Sequence, residues 1–204
     1  NVAELSNLRA ENEELRARLD DALANKNACD IAFAENKKLN RELNIISSQP
    51  RDSVIADVIL DNKILGHNTY IINRGAKNNI ESGMIVTSTD MYLVGIIIDV
   101  AENFSRVRAL TDVDTNIAVR VVGSEVYGFM SGNGSAYPTI GFFNDPEFQP
   151  SNGIKLITSN ISGVLPAGLM IGEIVDKTDV KVKKISELSR VIVQKFDTVK
   201  NEYK

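Results

Sequence analysis

The chain has 204 residues, of which 43% are hydrophobic and 25% charged, and 23 Lys and Arg against 27 Asp and Glu give a net charge of −4. This composition predicts a folded protein, and its acidic balance argues against nucleic acid as a partner. A single cysteine, Cys29, and a single histidine, His67, exclude an internal disulfide and a structural zinc site built from Cys and His.

Residues 1–46 contain neither Gly nor Pro and are predicted to form a coiled-coil helix. Their apolar residues recur at alternating spacings of three and four, and Asn12 takes an a position of the heptad, where a buried amide favours a parallel pair in one register. The alternative is a single exposed helix kept soluble by i,i+4 ion pairs. The residues expected to mediate self-association are Leu5, Leu8, Asn12, Leu15, Leu19, Ala22, Cys29 and Phe33.

Pro50 ends this helix because proline lacks an N–H and disfavours helical angles in the residue before it. Beyond it, short β-branched runs alternate with turn residues, a pattern typical of an all-β protein. Residues 177–188 are polar and are predicted to be a loop with one turn of helix. Eleven strands are predicted, at 54–60, 69–73, 84–88, 93–100, 106–110, 117–122, 126–130, 137–142, 154–158, 169–175 and 189–196.

Catalytic and metal-binding constellations are not recognisable in this pattern. His67 follows Gly66 in a predicted loop, where a histidine is most often a surface residue. The Ser131-Gly132 context is not a nucleophile motif, and Asp112 with Asp114 is a spacing common by chance. We therefore expect no enzyme activity, no cofactor and no metal.

Two stretches of the β region are more specific than composition. The first comprises residues 73–75, 80–86, 93–95, 98–100, 105–107 and 110–112, and the second comprises Gly153, 158–160, Gly163, 165–169 and 172–175. In this order and after a coiled coil, they resemble the MreC family of bacterial rod-shape-determining proteins over most of residues 2–196. Two departures from the family pattern are Tyr92, where a Gly is usual before Leu-Val-Gly, and Asn160, which replaces a Gly.

The resemblance implies a mainly β fold: an N-terminal coiled-coil helix followed by two small β-barrels, in a chymotrypsin-like arrangement without catalytic residues. The helix would comprise residues 1–46, and a linker at 47–53 would follow it. The first barrel would combine 54–100 with 177–204, and the second would be an insert at 101–176.

The same resemblance implies a function. The protein would be a non-enzymatic, membrane-anchored scaffold of the cell-elongation machinery, located at the bacterial inner membrane with this part in the periplasm or extracytoplasmic space. Because the sequence begins at Asn1 rather than Met, the membrane helix is expected upstream. The chain would form a homodimer or filament and bind a class B penicillin-binding protein, MreD and RodA, and indirectly MreB.

An exposed apolar patch around Ile64, Leu65 and Tyr70 is the predicted partner-binding surface.

Two other classes of protein compete with the scaffold. A periplasmic adaptor of an efflux or secretion system also joins helices to small barrels, but it should carry two antiparallel helices inside its β region. A double-barrel protease would have to depend on His67.

Overall fold

The computed structural model describes residues 2–42, 52–64, 66–161, 163 and 165–196, without the side chains of 2–6, 33, 36–42 and 60–64. The chain divides into two compact units, residues 1–47 and residues 48–204.

The first unit is the helix α1, Val2–Glu42. Its 41 residues correspond to a length of about 62 Å at 1.5 Å per residue. The segment is rich in Ala, Leu, Glu and Arg, which are strong helix formers, and no Gly or Pro interrupts it. Among the described residues, no helix combines the length and the apolar character that a membrane crossing requires.

The second unit contains twelve strands within its described residues, together with one-turn 3₁₀ helices at Ala76–Asn78 and Ile185–Glu187. The strands are β1 Asp52–Ile64, β2 His67–Ile72, β3 Ile85–Thr87, β4 Leu93–Val100, β5 Ser105–Ala109, β6 Asn116–Val121, β7 Tyr127–Ser131, β8 Thr139–Phe143, β9 Lys155–Thr158, β10 Met170–Asp176, β11 Asp179–Val182 and β12 Arg190–Lys195.

These strands close into two six-stranded antiparallel barrels. The first has the order β1-β12-β3-β4-β5-β2 and the second β10-β11-β8-β7-β6-β9. The predicted fold class, a helix followed by two small β-barrels, is confirmed.

The predicted division between the barrels is wrong at both ends of the insert. Strand β5 was assigned to the second barrel, but it pairs with both β4 and β2 and so closes the first. Strand β11 falls in the segment assigned to the first barrel, but it forms a hairpin with β10 and belongs to the second. The second barrel therefore begins after Ala109 and ends at Val182.

Strand β11 was also missed as a strand, because it lies in the segment predicted to be a loop. It is short and half charged, yet Val180 and Val182 both point into the core of the second barrel. The single helical turn predicted in this segment corresponds to Ile185–Glu187.

Each barrel has its own core, and the two cores meet at one face of the first barrel. Val86, Val94 and Val193 point into the first barrel. Ile85 and Leu93 point out of it and are buried together with the core residues of the second barrel. Because each fully buried aliphatic side chain contributes about 1.5–3 kcal/mol, this shared cluster holds the barrels together.

Candidate functional site

The predicted self-association seam lies on a helix whose described side chains are exposed. Leu8, Leu15 and Leu19 are 61%, 56% and 59% exposed, and Asn12, Ala22 and Cys29 are exposed as well. The side chains of Leu5 and Phe33 lie outside the described residues. Large apolar side chains at this spacing bury their surface when a second helix covers them, so self-association through this seam stays a prediction.

Two further apolar residues of the helix, Leu23 and Ile31, are exposed but were not predicted to take part. In the heptad that places Leu5 at a, they occupy the e and f positions. Ile31 therefore lies away from the seam. An intrahelical ion pair joins Arg18 to Glu14 at 2.5 Å on the helix surface.

The predicted partner-binding patch is wrong in its one described side chain. Tyr70 is only 3% exposed and belongs to the core of the first barrel. It lies on β2 between β1 and β5, and the alternation of the strand turns its side chain inward. The side chain of Ile64 and the whole of Leu65 lie outside the described residues.

The structure places exposed apolar side chains elsewhere on the second barrel. Phe129 on β7 lies directly opposite Phe142 on β8, and both rings are exposed. The register shifts by one residue between Phe129 and Met130, so Gly141 is extra on β8. Sequence reasoning could not find this pair, because a bulge changes which residues of a strand share a face.

A polar junction joins the barrels where β5 crosses to β6. The buried side-chain amide of Asn68 donates to the Thr111 hydroxyl at 3.0 Å and to the Gly134 carbonyl at 3.5 Å. The backbone N–H of Asn68 donates to Asp112 Oδ2 at 2.7 Å. A Cβ on Gly134 would lie 2.7 Å from the Gly66 Cα, so only glycine fits this contact. The junction is thus closely packed and hydrogen-bonded.

His67 lies at this junction with two carboxylates. Its Nδ1 is 3.6 Å from Asp112 Oδ1 and 3.6 Å from Asp114 Oδ2. These three groups could hold a cation by their donor types and spacing. However, Asp112 already accepts backbone N–H groups at both oxygens, and Arg108 Nε lies 3.9 Å from Oδ1. The arrangement is that of a carboxylate that caps backbone groups.

A second polar contact joins the β3–β4 hairpin to the segment after β11. Lys183 Nζ donates to Asp90 Oδ2 and lies 5.2 Å from the centre of the Tyr92 ring. The Lys183 ammonium, and then the hydroxyl of Ser88, lower the pKa of the exposed Asp90 carboxyl below its usual value. The Asp90 carboxylate therefore stays ionised at neutral pH. Tyr92 also makes a parallel bridge to Met170 of the second barrel.

The fold and these surfaces can be compared with known proteins. A family model described as the barrel core of the rod shape-determining protein MreC matches residues 58–201, which is more than half of the chain. The chain belongs to the MreC family. The resemblance stated from the sequence is therefore confirmed. The MreC family is structural and non-enzymatic, in agreement with the expectation that the chain is not an enzyme.

Two bacterial relatives carry the same description. The chain is 30% identical over 174 residues to the cell shape-determining protein MreC of Cereibacter sphaeroides. This match covers 85% of this chain and 57% of the relative. It is 31% identical over 188 residues to MreC of Bacillus subtilis, covering 86% and 64%. The chain thus spans less than two thirds of the length of these MreC proteins.

Solved MreC structures share the fold. MreC of Listeria monocytogenes superposes with a TM-score of 0.74 at 25% identity, covering 91% of this chain and 95% of that one. The major periplasmic domain from the cell shape-determining filament MreC superposes with a TM-score of 0.61 at 20% identity, and the match covers 74% of this chain and 100% of that one. MreC in complex with the penicillin-binding protein PBP2, from Helicobacter pylori, has a TM-score of 0.50 at 16% identity, and the match covers 74% of this chain and 100% of that one.

Proposed function

We propose that this protein is a non-enzymatic scaffold that maintains bacterial cell shape by self-associating and by binding cell-wall synthesis enzymes. Family membership is the observation that carries the proposal, because the relatives are cell shape-determining proteins. The two-barrel fold at a TM-score of 0.74 to MreC of Listeria monocytogenes supports it.

The helix is the proposed self-association element. Leu8, Leu15 and Leu19 are more than half exposed on a helix of 41 residues, and their spacing matches a heptad seam. A parallel pair would bury these leucines and place Asn12 of both chains opposite one another. One similar structure is described as part of a filament, which agrees with association between copies.

The proposed partners are cell-wall synthesis proteins: a class B penicillin-binding protein, MreD and RodA, with MreB as an indirect partner. The complex of MreC with PBP2 from Helicobacter pylori supports the first of these. The proposed location is the periplasmic or extracytoplasmic side of the inner membrane, to which a membrane helix would anchor the protein. The description of a similar structure as a periplasmic domain supports this location.

The adaptor alternative is disfavoured by the order of elements. An adaptor would interrupt its β region with two antiparallel helices. From Asp52 onward, the described residues contain strands and two one-turn 3₁₀ helices, and the long helix α1 precedes them.

Complementation of cell shape tests the proposal. In cells depleted of the endogenous protein, the intact protein should restore rods, whereas the same protein carrying Leu15→Asp and Leu19→Asp should leave round cells, because two charges would enter the seam. Ile31→Asp, an exposed position off the seam, is the matched control and should restore rods. The ratio of cell length to width is the readout.

Two outcomes would contradict the proposal. If depletion left the rods unchanged, the role in cell shape would be refuted. If the double variant restored rods as well as the control, scaffolding would not need association through the seam.

A further inference from the structure

The outer face of the first barrel, formed by β12, β3 and β4, is covered by the second barrel. Ile85 and Leu93 point outward from this face and are buried among the core residues of the second barrel. Ile96 and Phe196 pack against the same cluster. This face, which we call the barrel-contact face, is therefore hidden only as long as the barrels stay together.

Two polar side chains lie on the barrel-contact face and are buried there. Gln194 is directly opposite Ile85, and Thr87 is directly opposite Leu93, so each shares a face with an apolar residue that packs on the second barrel. Gln194 is 4% exposed and Thr87 is fully buried. Among the described side chains, the buried oxygens that lack a hydrogen-bond partner are Thr87 Oγ1 and Gln194 Oε1.

A buried polar oxygen without a partner destabilises the arrangement that buries it, because the group loses its hydrogen bond to water. Both of these oxygens lie on one contact between the barrels. The burial of Ile85 and Leu93 stabilises the closed arrangement, and the two oxygens oppose it. Separation of the barrels would hydrate both.

The attachment of the barrels is uneven. The two chain crossovers, after β5 and after β11, line a common pocket of ≈ 180 Å³, which Asn68, Thr111, Gly134 and Lys183 all reach. The Asn68 hydrogen bonds and the Asp90–Lys183 ion pair lie at this end. Gln194 lies near the opposite end of β12, away from the crossovers, and Thr87, opposite Ile192, lies closer to them.

We propose that the second barrel opens from the barrel-contact face of the first, with the two crossovers and the Asn68 junction as the hinge. In the open state, Thr87 and Gln194 are hydrated while each barrel keeps its own core. This conformational device goes beyond scaffolding and does not depend on it, since it concerns a motion of the isolated chain.

Thiol labelling under native conditions tests this motion. In a Cys29→Ser background, which removes the exposed native thiol, one variant carries Gln194→Cys and its control carries Val193→Cys. The two positions are neighbours on β12 and both are buried. Val193 points into the first barrel, whereas Gln194 lies on the barrel-contact face. Opening exposes only position 194, whereas position 193 requires the first barrel to unfold.

We expect Gln194→Cys to react at least about tenfold faster than Val193→Cys, because partial opening is more frequent than global unfolding. Equal rates would overturn the proposal. If Gln194→Cys does not fold, Thr87→Cys with Val86→Cys as its control gives the same comparison on β3.

The cause of opening has its own test. Thr87→Val keeps the shape of the side chain but removes the unpartnered hydroxyl, so it should slow labelling of Gln194→Cys by about fivefold or more. An unchanged rate in the presence of Thr87→Val would overturn the assignment of the opening to these buried oxygens.

Discussion

Met91 occupies a backbone conformation that favours glycine. It is the last of the three residues, 89–91, between Ser88 and Tyr92 in the connection from β3 to β4, and its φ is 67°. Its N–H donates to the Ser88 carbonyl at 3.0 Å, and the N–H of Ser88 donates to the Tyr92 carbonyl at 2.8 Å. Such loops combine a type I turn with a left-handed residue, which is usually Gly. Here the positive φ falls on Met91, next to Tyr92, the position where the resemblance led us to expect a Gly.

Met91→Gly should therefore stabilise the protein. Relief of the left-handed strain outweighs the greater freedom of Gly in the unfolded chain, and the expected gain in the free energy of unfolding is about 0.5–1 kcal/mol. Urea denaturation measures it. The control is Thr89→Gly in the same loop, where φ is not positive and Gly should destabilise. A lower midpoint for both variants would contradict this account of Met91.

Residue roles that depend on tertiary contacts were beyond sequence reasoning. Tyr70 was expected in an exposed apolar patch near the start of the strand predicted at 69–73, but pairing of β2 with both β1 and β5 places its side chain in the core of the first barrel. Asp112 could be noticed as part of a motif. Its contact with the backbone of Asn68, 44 residues earlier, required the fold.

At the scale of elements, α1 combines a heptad pattern with exposed leucines. A helix with this pattern gains stability when a second copy buries the a and d side chains. The helix was predictable because helical periodicity is local and the segment lacks Gly and Pro. The strand β11 was not, because a four-residue strand with two charged residues is recognised only from its pairing with β10 and β8.

The seam predicts the effect of charge on association. Light scattering of the 204-residue chain should give the mass of an oligomer, and Leu15→Asp with Leu19→Asp should reduce it to the 22.4 kDa of one chain. Ile31→Asp, exposed but at the f position, should leave the mass of the oligomer unchanged. If the double variant kept the oligomer as well, the contact between copies would have to lie in the barrels.

At the scale of the molecule, the sequence predicted the two barrels through a family resemblance, because turn glycines and β-branched runs recur in a fixed order. It did not predict which strands close each barrel. That assignment depends on pairings such as β2 with β5, between residues more than 30 positions apart. Each crossover therefore lies one strand further along the chain than the motif order alone implied.

The central claim is that one MreC-family chain both associates with itself and binds a cell-wall synthesis enzyme. The most direct measurement is light scattering, coupled to size exclusion, of the chain mixed with the extracytoplasmic part of the class B penicillin-binding protein from the same bacterium. The account predicts one species that contains both proteins, with a mass of at least two 22.4 kDa chains plus one enzyme molecule. Two separate peaks, each with the mass of its own protein alone, would contradict it.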